Sequence, residues 1–273
     1  MQTGSLNRTC NKIRRHIIQM TAQAGSGHPG GSLSSVEILV ALYFYKMRID
    51  PAFPLDPNRD RFVLSKGHAA PCLYAVLAER GYFPVEELQQ FRKLHSFLQG
   101  HPDSKKCPGI DISTGSLGQG FSSACGMALG AKRMGSSFHV YVLCGDGELQ
   151  EGLVWEAAES AAHYKLNNLT VLVDNNGLQI DGRNCDVMDL RSLEGKFDAF
   201  GFDVLSVENG NDLEALIAAL DVSAHETRPR AIIAHTTKGK GISFMENQAS
   251  WHGKAPDPQQ CAQALAELEA QYV

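Results

Sequence analysis

The most constraining feature of the chain is a pair of abrupt strand endings with one helix between them. Residues 139–144, HVYVLC, are mostly apolar and stop at Gly145-Asp146-Gly147. Residues 169–173, LTVLV, stop in the same way at Asp174-Asn175-Asn176-Gly177. Short runs that are apolar throughout read as strands of a buried parallel sheet. Between them, Leu153, Val154, Ala157, Ala158, Ala161 and Ala162 recur at helical spacing and predict a crossover helix over 151–164. Both endings then lie at the carboxyl edge of one sheet, where α/β folds place ligands. Asp146 and Asn176 are expected to face a common crevice.

Carboxylate and amide oxygens are hard donors, suited to Mg²⁺ or Ca²⁺ and not to zinc. One carboxylate and one amide leave coordination positions for phosphate oxygens. The glycines beside Asp146 allow backbone N–H groups close to a phosphate.

GDG, twenty-seven residues and then NN resembles the thiamine diphosphate fingerprint. That resemblance implies that Asp146, the Asn176 side chain and the Leu178 carbonyl hold Mg²⁺, with Ca²⁺ or Mn²⁺ as substitutes. It also implies that Gly147 lies against the cofactor's diphosphate.

Elsewhere the chain repeats the alternation of helix, strand and polar loop. A helix over 6–24 leads into the glycine loop GSGHPGGSLSS, carrying His28 and Gly31. Ser34 or Ser35 is placed to cap a helix over 36–47, which is apolar nearly all round. A short strand, RFVLS, ends in Lys66-Gly67-His68, and a helix starts near Pro71. Residues 86–97 read as helical and precede the Gly100-His101-Pro102 turn. The loop TGSLGQG then opens a small-residue helix over 121–134, whose first N–H groups suit an anion. Beyond the central stretch, 187–200 reads as helix, GFDVLSV contains a strand and 212–220 is a helix. A strand over 230–234 ends in HTTKGKG, where Lys238 could meet a diphosphate as a point charge. SWHGKAP brings His252, and a last helix runs over 259–272. Five strand ends delivering polar or glycine loops predict an α/β fold: a doubly wound, mostly parallel sheet with helices on both faces, as one domain over 1–273.

GSGHPGG, LSKGHAAP, TGSLGQG and SWHGKAP, taken together, resemble the histidine and cofactor loops of the transketolase family over residues 7–255. The resemblance implies that Gly31, His68, Gly115, Ser116, Leu117, Gly147, Asn176, Lys238 and His252 contact the cofactor. It places His28, His68, His101 and His252 against the donor sugar or the developing oxyanion, as the catalytic set. Full transketolases continue through a pyrimidine-binding domain, which supplies the glutamate that activates the cofactor, and a C-terminal domain. The expectation is therefore an N-terminal subunit of a split transketolase, completed by a C-terminal subunit in an α₂β₂ assembly. Its reaction would carry a two-carbon ketol unit from a ketose phosphate to an aldose phosphate. Alternatives are a subunit of a 2-oxo acid dehydrogenase or deoxyxylulose phosphate synthase, or a non-catalytic cofactor-binding scaffold.

Composition sets outer bounds. With 43% hydrophobic residues and a net charge of −5, the chain is not built around nucleic-acid electrostatics. No apolar run approaches the roughly 18 residues of a membrane span. The first residues lack the apolar core of a signal peptide. Seven cysteines without a CxxC pair argue against zinc or a disulfide framework and for a reduced, cytoplasmic setting.

Overall fold

A computed structural model describes residues 3–271. Five strands form one all-parallel sheet: β1 (Arg61–Leu64), β2 (Val140–Gly145), β3 (Leu169–Asn175), and, numbered past a small hairpin, β6 (Asp203–Val207) and β7 (Arg230–His235). The spatial order is β1-β2-β3-β7-β6. The hairpin, β4 (Leu178–Gln179) with antiparallel β5 (Gly182–Arg183), stands on the loop after β3.

Strand residues alternate between two cores. Phe62, Leu64, Tyr141, Leu143, Leu172 and Ile232 face α1 (Thr3–Ala24), α2 (Pro29–Ser34), α3 (Val36–Ala41), α4 (Ala70–Arg80), and further along the chain α9 (Leu213–Asp221) and α10 (Pro258–Ala270). Val63, Val140, Val142, Val171 and Ile233 face α5 (Gln119–Met134), α6 (Gly152–His163) and α8 (Leu193–Ala199). A short turn of helix, α7 (Asn184–Val187), follows the hairpin. Helices thus cover both faces, as the sequence predicts. The chain leaves β3 toward α8 and leaves β7 toward α10, on opposite faces. That divergence between neighbouring strands opens a crevice at their carboxyl ends.

Several element boundaries differ from expectation for local reasons. The GSGHPGG stretch is not simply a loop, because α2 starts at Pro29, with proline at its first turn. Neither Ser34 nor Ser35 caps α3 with its side chain; the Ser35 hydroxyl donates to the Gly31 carbonyl at 2.7 Å and the Ser34 hydroxyl to Asp174 at 2.5 Å. The helix expected over 36–47 changes to a π turn at Leu42–Lys46. Residues 86–97 hold only a 3₁₀ turn, Val85–Gln90; Arg92 and His95 have φ of 59° and 68°, which a right-handed helix cannot contain. Similarly, φ of 56° at Arg191 separates α7 from α8, so 187–200 is not one helix. The last helix is started by a capping box between Asp257 and Gln260, and its expected end at Tyr272 lies outside the described residues.

Candidate active site

A cavity of about 390 Å³ opens at the carboxyl edge of the sheet. Its lining comes from the α2 start (His28, Gly31), the β1 end (Lys66, His68), the TGSLGQG loop (Gly115, Leu117), the β2 end, the turn after β3, and the late loops with Lys238 and His252. Of the residues singled out in the sequence, Ser116 and His101 do not line it. Ser116 is exposed. His101 is exposed and stands against Gly115: a side chain at Gly115, where φ is +149°, would meet the His101 ring at 3.0 Å. Glycine is therefore required at 115.

Asp146 follows β2 and is buried. Its Oδ1 accepts from the Gly147 N–H at 2.8 Å and its Oδ2 from the Gly177 N–H at 2.5 Å. These bonds tie the GDG turn to the turn after β3, so Asp146 is held by both strand ends. Burial, then the charge of Asp174, raises its pKa, while the two N–H groups pull the other way. Asn176 accepts at Oδ1 from the Leu178 N–H at 3.1 Å and donates from Nδ2 to Asp174 at 3.1 Å. The Leu178 carbonyl accepts from the Lys238 ammonium at 3.0 Å.

Three histidines meet across the cavity. Ring centroids are 5.3 Å apart for His28 and His68, 5.6 Å for His28 and His252, and 5.0 Å for His68 and His252. Burial first, then surrounding cations, keeps them neutral. His28 is pushed down to about 4, with Arg92 the next cause after burial, and His252 to about 3, with Lys238 next. His68 lies well below its ordinary value through burial and Lys66. His101 is lowered by burial and Arg92. Lys238, desolvated, falls to about 8 although Asp146 opposes the shift. Its Nζ lies 3.2 Å from His252 Nδ1. An ammonium only donates, so His252 Nδ1 is the acceptor and Nε2 carries the proton. His28 Nδ1 is buried without a hydrogen-bond partner among the described residues.

The histidine shifts predict an acid effect of definite sign. A histidine with a depressed folded-state pKa contributes stability above its ordinary value of 6.5, and this is lost as pH falls toward the folded value. The chain should therefore lose stability relative to His68→Gln as pH falls below 6.5. Urea unfolding of both proteins between pH 7.5 and 4.5 (buffer values, in roughly half-unit steps) checks this; a constant difference would contradict a neutral buried His68.

Three residues that organise the site escape sequence reasoning. Lys66 and Asp174, both buried, form an ion pair beneath the cavity, and the Lys66 ammonium also donates to the Gly31 carbonyl at 3.0 Å. Burial would raise Asp174, but Lys66 together with the hydroxyls of Ser34 and Thr236 holds the carboxyl below its ordinary range. Glu148 is the third. Its Oε1 accepts from Ser65 at 2.5 Å and the Gly118 N–H at 2.9 Å, and its Oε2 from the Gly145 N–H at 3.0 Å. Glu148 thus joins the β1 end, the TGSLGQG loop and the GDG turn. The available signal was a charged residue at each apolar strand's end; their pairings are long-range and leave no local pattern.

The candidate residues fit a divalent cation with a diphosphate. Asp146, Asn176 Oδ1 and the Leu178 carbonyl form a hard-oxygen set with one carboxylate. The Leu178 carbonyl already receives a cation, the Lys238 ammonium. The unpartnered His28 Nδ1 gives the cavity an unmet polar demand.

Residues 5–270 match the family model described as "Transketolase, thiamine diphosphate binding domain". The chain is 43% identical to one of the subunits named for the apulose-4-phosphate transketolase of Actinobacillus succinogenes, over 97% of this chain and 96% of that protein. It is 42% identical to the 6-deoxy-6-sulfo-D-fructose transketolase subunit SqwG of a Clostridium species, over 98% of each. The solved transketolase of Leishmania mexicana superposes with a TM-score of 0.92 at 31% identity, covering 97% of this chain and 41% of that one.

Proposed function

The chain belongs to the transketolase family, and from that premise we propose that it is the diphosphate-holding subunit of a two-chain transketolase. With Mg²⁺ and thiamine diphosphate in the crevice and a C-terminal subunit supplying a pyrimidine-binding domain, it transfers a two-carbon ketol unit between sugar phosphates. The observation that carries this reading is the convergence of Asp146, Asn176 and Leu178 with three neutral histidines in one cavity. The two-chain arrangement, taken as α₂β₂, is supported by coverage: the chain spans nearly all of relatives named as subunits and 41% of the Leishmania transketolase. A cytoplasmic setting fits seven free cysteines. Among the described residues no helix is long and apolar enough to cross a membrane.

Asp146, Asn176 Oδ1 and the Leu178 carbonyl would hold the metal, with Ca²⁺ or Mn²⁺ able to replace Mg²⁺. Gly147, Gly31, Gly115 and Leu117 would line the cofactor, and Lys238 would offset diphosphate charge. When bound, thiamine diphosphate supplies the carbon nucleophile and electron sink for breaking the bond beside a ketose carbonyl. The histidines manage protons around it. His252 offers Nε2–H to a substrate oxygen, because Lys238 holds Nδ1 as the acceptor. His28 presents its ring to the sugar, with His68 and His101 nearby. Neutral imidazoles can both give and take a proton near pH 7.

His252→Ala is expected to leave cofactor affinity within about tenfold and to slow turnover by about 100-fold or more, the range for a lost general acid–base group. Titration and steady-state kinetics of the complete enzyme separate the two effects; normal turnover would make His252 structural.

The test of the whole reading is recovery of the chain from its native cells in Mg²⁺ and thiamine diphosphate, followed by reconstitution. A stoichiometric second chain with a pyrimidine-binding domain is expected, and ketol transfer should appear only on mixing. The two relatives named as subunits carry the names of different sugars, so donor assays should span both kinds. Repeated recovery of the chain alone would overturn the two-chain reading.

A further inference from the structure

We propose that Asp174 is a positioning residue of the metal site: it fixes the Asn176 amide with its oxygen, not its nitrogen, on the side shared with Asp146 and Leu178. This rests on the metal reading above and extends it to a residue outside the proposed ligand set. Of the three candidate ligands, Asn176 alone has two chemically different ends. Turned by a half rotation, an asparagine amide keeps its shape and exchanges an acceptor for a donor. An NH₂ group offers nothing to a hard cation.

Both ends of Asn176 meet partners whose roles are fixed. The Leu178 N–H can only donate, and it faces Oδ1 at 3.1 Å. The Asp174 carboxylate can only accept, and it faces Nδ2 at 3.1 Å. The other neighbour of Nδ2, the Ser34 hydroxyl at 3.5 Å, gives its single proton to Asp174 and so faces Asn176 as an acceptor only while Asp174 holds that proton. The Leu178 bond closes a local turn that moves with Asn176. Asp174 is what ties the amide to the rest of the fold.

Asp174 can serve as that anchor because it is itself held from three directions. It is fully buried near the end of β3. Its Oδ2 accepts from Ser34 in α2 at 2.5 Å, from Ser35 at 3.4 Å and from Lys66 beyond β1, and its Oδ1 accepts from Thr236 beyond β7. A carboxylate so constrained leaves Asn176 Nδ2 no alternative acceptor position to follow.

The test compares the full chain with Asp174→Ala and Asp174→Asn. Mn²⁺ uptake in the presence of thiamine diphosphate is followed by the paramagnetic resonance of free Mn²⁺. Exchange of the Asn176 side-chain NH₂ is followed by ¹⁵N NMR. Asp174→Ala should weaken Mn²⁺ about 10–100-fold, as loss of a ligand-orienting carboxylate does. Asp174→Asn can turn its own NH₂ to Thr236 and keep an oxygen on Asn176, so it should retain most of the affinity. The Asn176 NH₂ should exchange slowly in the unsubstituted chain and rapidly in Asp174→Ala. Equal Mn²⁺ affinity in all three proteins overturns the proposal, as does an equal loss in both variants. Fast NH₂ exchange in the unsubstituted chain overturns it without any variant having to fold. If the unsubstituted chain takes up no Mn²⁺ even when combined with its partner subunit, the metal reading fails, and the exchange measurement still decides whether Asp174 orients Asn176.

Discussion

Asp146→Ala should abolish metal-dependent cofactor binding while leaving the fold largely intact. Loss of a residue that merely orients a ligand weakens metal binding about 10–100-fold, so loss of the only carboxylate in the proposed set should exceed that upper figure. The fold has less at stake. Asp146 accepts two backbone N–H bonds, but it is buried and repelled by Asp174. Stability is the difference between those opposing effects and should move by only about 1 kcal/mol, the worth of an ordinary hydrogen bond. Calorimetric titration with thiamine diphosphate and Mg²⁺, beside urea unfolding of the free chain, reads the two quantities separately. Unchanged cofactor affinity would remove Asp146 from the metal set.

Lys66→Met should have the opposite signature, with a large loss of stability. It leaves the Asp174 carboxylate buried and without its counter-charge. Breaking a buried ion pair from one side costs about 3–5 kcal/mol. The deficit should shrink in acid. Asp174 lies below its ordinary value of 3.8 when folded, so its contribution is present above 3.8 and is lost as pH falls below it. Urea unfolding at pH 7 and near pH 3 checks both statements. A deficit below about 1 kcal/mol at pH 7 would mean that the hydroxyls of Ser34 and Thr236 suffice for Asp174.

These two variants also mark how far the sequence could be read. Asp146 and Asn176 were legible because each ends an apolar run, and that ending places a residue at the sheet's carboxyl edge wherever the rest of the chain goes. The parallel sheet was legible for the same reason: residues 140–144, 171–173 and 231–234 are apolar on both faces, as only a doubly covered sheet requires. His28, His68 and His252 were found through the resemblance of GSGHPGG, LSKGHAAP and SWHGKAP to the histidine loops of the transketolase family, and not through any periodicity. Lys66, Asp174 and Glu148 were not found. A charged residue beside a strand reads locally as turn chemistry, and what makes these three structural is a partner far away in the chain. The false helices over 86–97 and 187–200 failed for a different reason. Their apolar residues recur at plausible spacing, but Arg92, His95 and Arg191 adopt left-handed backbone that composition does not announce.

The scattering of the cavity lining along the chain bears on how the protein is made. His28 emerges early in synthesis, Asp146 and Asn176 midway, and Lys238 and His252 late. A nascent chain can collapse its first helices and begin its sheet long before the crevice has all its walls. On the function proposed above, cofactor capture would therefore be a late event, open only to chains whose distant segments have closed correctly. Because a ligand that binds only the finished fold stabilises it by mass action, the vitamin supply of the cell would weigh directly on how much of this chain survives its own synthesis.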